Sequence, residues 1–273
     1  MIDLRQSQGW GEYQKTRGWI IDTVKAANGK KILQVLIFQI GFWPWRMMKL
    51  QRNEVDPDFE DLRKLKKKHR VIQTVIEPLR IEQMERYKKA GFKRSRLPYL
   101  ATKTVIIDLT KSEKELWKEL SENARRLIKK NGDIKVETAE ESVFHDLWRS
   151  NSKVWVLTKR ELVSLLRLFG KDARLSVAKD KSGYHSGLLT LYTKDTANYF
   201  QTWTSELGRK SGAHYKLVWE EMLRAKKMGK KYFDFEGIYD PEFPINKWKG
   251  FTEFKKKFGG EVVTRPGCFT RWF

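Results

Sequence analysis

Four consecutive segments decide the fold: GLLTLYT (187–193), NYFQTWT (198–204), AHYKLVWEEMLRAKKM (213–228) and YFDFE (232–236). The first two alternate apolar and polar residues with a period of two, which predicts an antiparallel pair of strands. The third has apolar residues at helical spacing and is followed by Gly229, which predicts a long helix that stops there. The fourth predicts another strand. A strand pair, a helix and a strand in this order indicate a mixed α+β unit.

The rest of the chain continues this alternation of strands and helices. Thr110 and Glu113 predict a capping box that opens one helix running through Ile128. No long Ser/Gly linker separates the two halves, so we predict an α+β (α/β) fold of two directly fused lobes. The first lobe is expected at 1–103, with 261–273 able to return to it, and the second at 104–260. Further strands are predicted at 31–40, 71–77, 105–109, 134–137, 173–179 and 261–264, and further helices at 59–69, 81–90, 143–149 and 160–169.

The charge balance points to a phosphate-rich partner. The 273 residues include 56 Lys and Arg against 34 Asp and Glu, a formal net charge of +22 at pH 7. Hydrophobic residues make up 40% of the chain, enough for a packed core, which excludes disordered and fibrous classes. The basic residues fall in several clusters rather than in one tail. We therefore expect a folded basic surface that attracts RNA, DNA, anionic lipid or a nucleotide-linked substrate.

The single cysteine, Cys268, excludes an intramolecular disulfide, a cysteine-based zinc site and an iron–sulfur cluster. The N-terminal residues lack the charged-then-apolar pattern of a signal peptide. The longest apolar stretch, 32–45, is interrupted by two glutamines and is shorter than the roughly 20 residues that a membrane-spanning helix needs. We expect a cytoplasmic protein that is not integral to the membrane.

The chain lacks the common catalytic signatures. It contains no G-x-S-x-G elbow, no P-loop and no G-x-G-x-x-G fingerprint. Its four histidines show no metal-ligand spacing, so no metal is expected; they are His69, His145, His185 and His214. Residues 209–214, RKSGAH, precede the long helix where GNAT acyltransferases place a Q/R-x-x-G-x-G/A loop that cradles CoA pyrophosphate. Arg209 and Gly212 fit that loop, but His214 occupies its sixth position, so the fold signal persists while the CoA signal is broken.

This combination resembles the FemABX family of Fem-type peptidyltransferases, and six motifs in order carry the resemblance along most of the chain. They are the opening LRQSQGWGEYQKTRGW (4–19), IEP (76–78) with AGF (90–92), VIIDLT (105–110), RRLIKK (125–130) before Gly132, GAHY (212–215) with YFDFEGI (232–238), and FKKKFGGE (254–261).

The resemblance implies two GNAT-like lobes, each with a mixed, mostly antiparallel sheet flanked by helices. It implies an aminoacyltransferase that moves an amino acid from aminoacyl-tRNA to the stem-peptide amine of a peptidoglycan precursor, either lipid II or a UDP-MurNAc-peptide. No cofactor is expected, and a monomer is expected. The net charge agrees independently, because tRNA, a pyrophosphate-linked precursor and an anionic membrane surface all attract a basic protein.

Carried over by motif, the resemblance implies three catalytic residues. Lys255 would lie by the tRNA 3′ end and stabilise developing negative charge, Phe254 would be the adjoining aromatic contact, and Tyr215 would line the transfer site. The alternatives are that Lys255 is a solvent-facing member of a run of three lysines and that Tyr215 packs in the core. The implied precursor-binding residues are Lys15, Lys49, Lys159 and Arg160, and the implied tRNA-binding residues are Arg125, Arg126, Lys130 and Lys256.

The chain departs from the family pattern in several respects: it is short for the family, the segment between Ile238 and Phe254 contains two prolines and has an unusual spacing, and a first-lobe motif is missing. Residues 43–53, WPWRMMKLQRN, stand where the family usually has a P-R-G-P-like motif, so Lys49 and Arg52 are the candidates to supply charge there. Two other functions stay open. An acyl-CoA N-acyltransferase would share the fold, and a non-enzymatic RNA-binding protein would use the basic surface and exposed aromatic residues without turnover.

Overall fold

The computed structural model describes residues 3–41, 44–152 and 156–272, so Trp43, the first residue of the departing segment, lies outside the described residues. The helices are α1 Gln8–Thr16, α2 Phe59–Lys68, α3 Met84–Lys89, α4 Glu113–Glu119, α5 Glu122–Lys130, α6 Glu141–Asn151, α7 Lys159–Phe169, α8 Glu206–Ser211, α9 His214–Lys227 and α10 Lys249–Lys256. The strands are β1 Ile20–Lys25, β2 Ile32–Gln39, β3 Arg46–Asn53, β4 Val71–Pro78, β5 Lys93–Arg94, β6 Lys103–Asp108, β7 Lys135–Thr138, β8 Ala173–Asp180, β9 Gly183–Tyr192, β10 Thr196–Thr204, β11 Tyr232–Gly237, β12 Glu261–Thr264 and β13 Phe269–Trp272.

The first lobe consists of residues 2–103, 239–246 and 263–273. Its sheet has the strand order β1-β2-β3-β4-β13-β5, in which β3 and β4 are parallel and the other pairs are antiparallel. Helices α2 and α3 cover one face and close a core that includes the fully buried Leu50, Ile76 and Tyr87. The C-terminal strand β13 completes this sheet because it pairs with both β4 and β5.

The second lobe consists of residues 104–238 and 247–262. Its sheet has the order β12-β6-β11-β10-β9-β8-β7, and helix α9 packs on it. The buried Val218, Met222 and Ala225 lie three or four residues apart and, with the adjacent Leu217, form one apolar stripe on α9 that faces the core. Two sheets, each with packed helices, confirm the predicted α+β fold of two lobes.

Two local predictions were wrong. The capping box is formed by Ser112 and Glu115 rather than by Thr110 and Glu113, because the Ser112 hydroxyl accepts from the Glu115 N–H while the Glu115 carboxylate accepts from the Ser112 N–H. The single helix expected through Ile128 is two helices. Leu120 is extended (φ −60°, ψ 141°), and Ser121 caps the start of α5.

The structure describes residues 3–41, 44–152 and 156–272. In none of them does a helix combine the length and the apolar character that a membrane span requires.

Candidate active site

The second lobe has an opening between two parallel strands. Strands β10 and β11 pair over only three positions, which end at Asn198 and Asp234. Beyond that point each strand has a register irregularity, between Tyr199 and Gln201 in β10 and between Asp234 and Gly237 in β11. Such irregularities bend a strand and end its pairing. In sheets of this kind, ligands bind outside the carboxyl ends of parallel strands, so the opening is the place to look for a site.

The bend in β11 is held by the Asp234 carboxylate. Its Oδ1 accepts hydrogen bonds from the Thr104 hydroxyl and from the Glu236 N–H, the latter at 2.7 Å. Glu236 has φ +58°, a left-handed conformation that residues other than glycine seldom adopt. This conformation is a strained feature of the kind that clusters at functional sites.

Lys255 reaches the bend from helix α10. Its ammonium donates to the Gly237 carbonyl at 2.6 Å, and its Nζ lies 5.4 Å from the centre of the Tyr199 ring and 5.2 Å from that of Phe251. Only 6% of the residue is exposed, so Lys255 is not a solvent-facing lysine.

The environment of Lys255 weakens its hold on the proton. Burial lowers the pKa of Lys255 to about 8, and the negative charges of Glu236 and Asp234 oppose that shift. With a pKa near 8, Lys255 is protonated in about nine-tenths of the molecules at pH 7. The site therefore holds one nearly buried cation beside two carboxylates.

Phe254, the residue before Lys255 in α10, lies next to Tyr215 of α9. Their ring centres are 4.8 Å apart in an edge-to-face arrangement, and Phe258 stacks on Tyr215 at 5.6 Å. Both Phe254 and Tyr215 are only half-buried and pack against the core of the second lobe. Each ring thus contributes to the core and also keeps surface for a ligand. We call Lys255, Phe254, Tyr215, His214 and Tyr199 together the splay site.

His214 and Tyr199 were not identified as site residues from the sequence. His214 Nε2 lies 2.7 Å from the Tyr199 hydroxyl and 3.2 Å from that of Thr202, and its ring is 5.2 Å from that of Phe254. Burial lowers the pKa of His214 to about 3, so the imidazole is neutral, and Nδ1 has no hydrogen-bond partner among the described residues. The available signal was that His214 breaks the CoA-loop pattern just before a long helix.

The segment tested as a CoA loop has a different structure. Residues 206–211 form helix α8, and Gly212 follows as its left-handed cap with φ +73°. The Gly208 N–H is bound by the Ser205 hydroxyl and the Gly212 N–H by the Gly208 carbonyl. These amides are engaged within the helix, which agrees with the broken motif.

The implied precursor-binding residues are distributed over both lobes. In the first lobe, Lys15 is exposed and pairs with Glu12 at 2.7 Å, whereas Lys49 lies within 3.7 Å of the centre of the Tyr99 ring. Burial lowers the pKa of Lys49, while the charge of Glu77 raises it. In the second lobe, Lys159 and Arg160 are exposed in the first turn of α7 and are separate from the splay-site contacts.

Arg52, the other candidate in the departing segment, is occupied inside the first lobe. It is 6% exposed, its guanidinium donates to the Ala101 carbonyl and lies 4.0 Å from the Asp3 carboxylate, and burial lowers its pKa to about 10. These contacts hold the segment in place. Arg52 is therefore not positioned as a surface charge.

The implied tRNA-binding residues differ in how far their side chains are exposed and in the hydrogen bonds that hold them. The Arg125 guanidinium donates to the Lys118 and Leu120 carbonyls at 3.0 and 2.6 Å, so it joins the ends of α4 and α5. Arg126, Lys130 and Lys256 are exposed. Arg126 donates to the Asn123 side chain at 2.9 Å.

Among the residues that the structure describes, no three His, Cys, Asp or Glu side chains come together in a group that could hold a metal ion.

The comparisons with known proteins agree with this geometry. Residues 158–272 match the model of the FemAB family. The match covers 115 of the 273 residues of the chain. The FemABX resemblance inferred from the motifs is thereby confirmed.

Solved structures show the fold over nearly the whole chain. A crystal structure of FemX is 16% identical, with a TM-score of 0.85 over 99% of this chain and 92% of that one. L-PGS from Bacillus licheniformis is 14% identical, with a TM-score of 0.56 over 92% and 83%. A tandem GNAT protein from the clavulanic acid biosynthesis pathway is 13% identical, with a TM-score of 0.56 over 89% and 80%. The fold is thus GNAT-like in both lobes. No curated protein sequence matches the chain.

Proposed function

We propose that this chain is an aminoacyltransferase that moves an amino acid from aminoacyl-tRNA to the stem-peptide amine of a peptidoglycan precursor. The FemAB match supports a peptidoglycan bridge-forming aminoacyltransferase in general terms. The donor, the acceptor and the residues that act on them are the finer proposal. A cytoplasmic enzyme working at the inner face of the plasma membrane fits both substrates and the net charge of +22.

The observation that carries the proposal is the buried cation in the strand opening. Lys255 is protonated in most molecules at pH 7, is fixed by the Gly237 carbonyl, and is flanked by aromatic rings. Acyl transfer from an ester develops negative charge on the carbonyl oxygen as the tetrahedral intermediate forms. A fixed, nearly buried cation stabilises such charge with little reorganisation.

The transfer needs no covalent enzyme intermediate. The neutral acceptor amine attacks the ester carbonyl, a C–N bond forms, and the carbonyl oxygen becomes an oxyanion beside the Lys255 ammonium. Collapse of the intermediate breaks the ester C–O bond, and the proton lost by the amine leaves with the tRNA 3′-hydroxyl. Orientation of two bound substrates supplies much of the acceleration in such reactions.

The aromatic pair has a matching role in holding the donor. Phe254, which precedes Lys255 in α10, and Tyr215 present partly exposed rings, and the unpaired bases at a tRNA 3′ end stack well on aromatic side chains. Exposed Arg126, Lys130 and Lys256 would contact its phosphates, and Lys15, Lys49, Lys159 and Arg160 would contact the precursor.

The test is direct product analysis. The protein is incubated with charged tRNAs and with lipid II or a UDP-MurNAc-peptide, and the muropeptide is analysed by mass spectrometry. The expected product is heavier by one amino-acid residue. A parallel calorimetric titration with acetyl-CoA should show no binding. CoA binding together with acetylated product would replace this proposal with an acyl-CoA transferase, and tRNA binding with no product from any charged tRNA would favour a non-enzymatic RNA-binding protein.

A further inference from the structure

A second site lies entirely within the first lobe, on the face of its sheet covered by helices α2 and α3. It is a pocket of about 560 Å³, within the range of small-molecule sites. Six of its lining residues are basic and none is acidic. We call it the basic pocket. Its lining residues are Met48, Phe59, Leu62, Arg63, Lys66, Lys67, Thr74, Arg86, Lys89, Ala90, Phe92 and Arg271.

The pocket is graded from apolar to basic. Phe59 and Leu62, near the start of α2, line it with carbon, and Lys66 and Lys67, one turn or more further on, line it with ammonium groups. These spacings of three and four residues place the side chains on one helix face. A ligand lying along α2 would thus have an apolar part at one end and an anionic part at the other.

Three strands form the floor of the pocket in one row. Thr74 on β4 is paired in register with Met48 on β3 and with Arg271 on β13, so the three side chains share one face of the sheet. The Arg271 guanidinium also donates to the Ala90 carbonyl at 2.6 Å, which fixes it at the pocket wall. The floor therefore sets an apolar side chain, a hydroxyl and a guanidinium side by side.

The Thr74 hydroxyl is an independent sign of a ligand. Thr74 is fully buried, and its Oγ1 has no hydrogen-bond partner among the described residues. Buried polar groups are nearly always paired, and one that lines a pocket can be paired by what the pocket binds. The charges point the same way, because partial burial and the neighbouring charges of Arg271 and Lys67 lower the pKa of Lys66.

Not all of the basic residues are equally available to a ligand. Arg63 pairs with Glu60 at 2.9 Å, and Arg86 pairs with Asp56 at 2.8 Å. Lys67 and Lys89 also line the pocket, and they are the lysines whose charge is tested below.

We propose that the basic pocket binds an amphipathic phosphate, that is, a phosphate head joined to an apolar chain. The head would accept hydrogen bonds from Thr74, Arg271 and Lys66, and the chain would lie against Leu62 and Phe92. Phosphate suits this set because its several oxygens accept from a guanidinium, an ammonium and a hydroxyl together. A nucleotide base fits less well, since the apolar end offers no groups to read its polar edges. This inference does not depend on the proposed transfer reaction.

The probe is dihexanoyl phosphatidic acid, used below the concentration at which it forms micelles and titrated by calorimetry. Dihexanoyl phosphatidylcholine has the same chains without net charge, and inorganic phosphate has the charge without chains. Saturable one-site binding is expected for phosphatidic acid, with both comparison molecules at least about tenfold weaker. Equal binding of inorganic phosphate, or no saturable binding of phosphatidic acid, overturns the proposal.

Two variants test the pocket without changing its charge. Thr74→Val keeps the side-chain shape and should weaken the binding of phosphatidic acid by about tenfold, the scale of one hydrogen bond to a charged group. Ala90→Leu adds bulk at the wall and should weaken it by about tenfold through overpacking. Unchanged affinity in Thr74→Val, with the wild-type melting temperature retained, would remove the hydroxyl from the site and overturn the proposal.

Two double variants separate the pocket from the general basic surface. Lys67→Gln with Lys89→Gln removes two lining charges and should weaken binding by about 30-fold. Lys64→Gln with Lys88→Gln removes two charges from the same helices outside the lining, where the lysines pair with nearby carboxylates, and should change binding by less than about threefold. Equal losses in the two double variants would mean a diffuse electrostatic surface and no pocket site.

A vesicle arm identifies where the ligand comes from. Sedimentation is measured with phosphatidylcholine vesicles that contain phosphatidylglycerol, and the same variants are compared. Loss of vesicle binding in Thr74→Val assigns the site to a bilayer phospholipid, whereas unchanged vesicle binding beside weakened short-chain binding assigns it to a free amphiphile.

Discussion

Replacing Lys255 by methionine is the most informative single perturbation of the splay site. Methionine keeps much of the alkyl stem and removes the ammonium. If that ammonium stabilises the oxyanion, it acts mainly in the transition state, so turnover should fall by about 10²–10³ while substrate affinity changes by less than about threefold.

The variant should remain folded, and the structure gives the reason. Loss of the ammonium leaves the Gly237 carbonyl without this donor, which costs about 1–3 kcal/mol. Burial, however, has brought the pKa of Lys255 from 10.5 to about 8, so the folded protein disfavours this charge by about 3 kcal/mol relative to water. The two effects have opposite signs and similar size. The free energy of unfolding should therefore change by about 1 kcal/mol or less.

The assay is single-turnover transfer at saturating aminoacyl-tRNA and precursor, with the product measured by mass spectrometry. Lys256→Met and Lys257→Met are matched controls, because the same charge is removed from adjacent positions. The Lys256 side chain is exposed and that of Lys257 is half-buried. Both controls should slightly weaken tRNA binding and leave turnover nearly intact. Equal small effects at all three positions would refute the catalytic role of Lys255.

Four further outcomes are expected. Above pH 8 the wild-type turnover should fall as Lys255 loses its proton, and Lys255→Met should lack this fall in its rate–pH profile. Between pH 8 and about 10.5 the unfolded chain binds a proton at Lys255 that the folded chain has lost, so wild-type stability should rise more steeply with pH than that of Lys255→Met in unfolding–pH profiles. Tyr199→Phe removes the 2.7 Å contact with His214 and should cost about 1 kcal/mol in urea unfolding, and an unchanged midpoint would argue that the pair contributes nothing to stability. Gly208→Ala places a Cβ 2.0 Å from a backbone carbonyl oxygen and should lower the free energy of unfolding by about 3 kcal/mol. Gly250→Ala meets no atom within 4 Å and should stabilise α10 by about 0.5–1 kcal/mol. Similar effects of both substitutions on urea unfolding would contradict the packing argument. Affinity for tRNA should fall steeply with salt, with a log–log slope of about −0.7 to −0.9 per phosphate contacted, and a flat response would exclude a phosphate-binding face.

Local sequence patterns were sufficient for most of the second lobe. The period-two segments became β9 and β10, the helical segment became α9, and the following apolar segment became β11. These elements were predictable because side-chain periodicity and glycine stops act over a few residues. The family motifs and the excess of basic residues were likewise evident without coordinates, and the motifs pointed to the same family that the model matches over residues 158–272.

Helix boundaries were not predictable where two neighbouring residues could each cap the helix at similar energy. Ser112 and Thr110 are both able to cap a helix, and packing of Leu116 and Leu120 into the core selects the Ser112 start and the break before α5. Helix α8 was missed because its six residues are too few to display a clear period, and it is fixed by close contact of Gly208 with the backbone of His185.

The sequence by itself determined that lysines fall at 255, 256 and 257 and that a Fem-type motif contains them. Only the tertiary structure decided that Lys255 is 6% exposed while Lys256 faces solvent. The physical reason is that consecutive side chains of a helix point about 100° apart, so adjacent lysines face different surroundings. Lys255 is buried because its side chain points into the strand opening and contacts aromatic rings there. Similarly, the basic pocket gathers side chains from 48 to 271, and no local pattern reports that they meet. Local interactions choose the elements, but burial of a charge is set by what distant segments place around it.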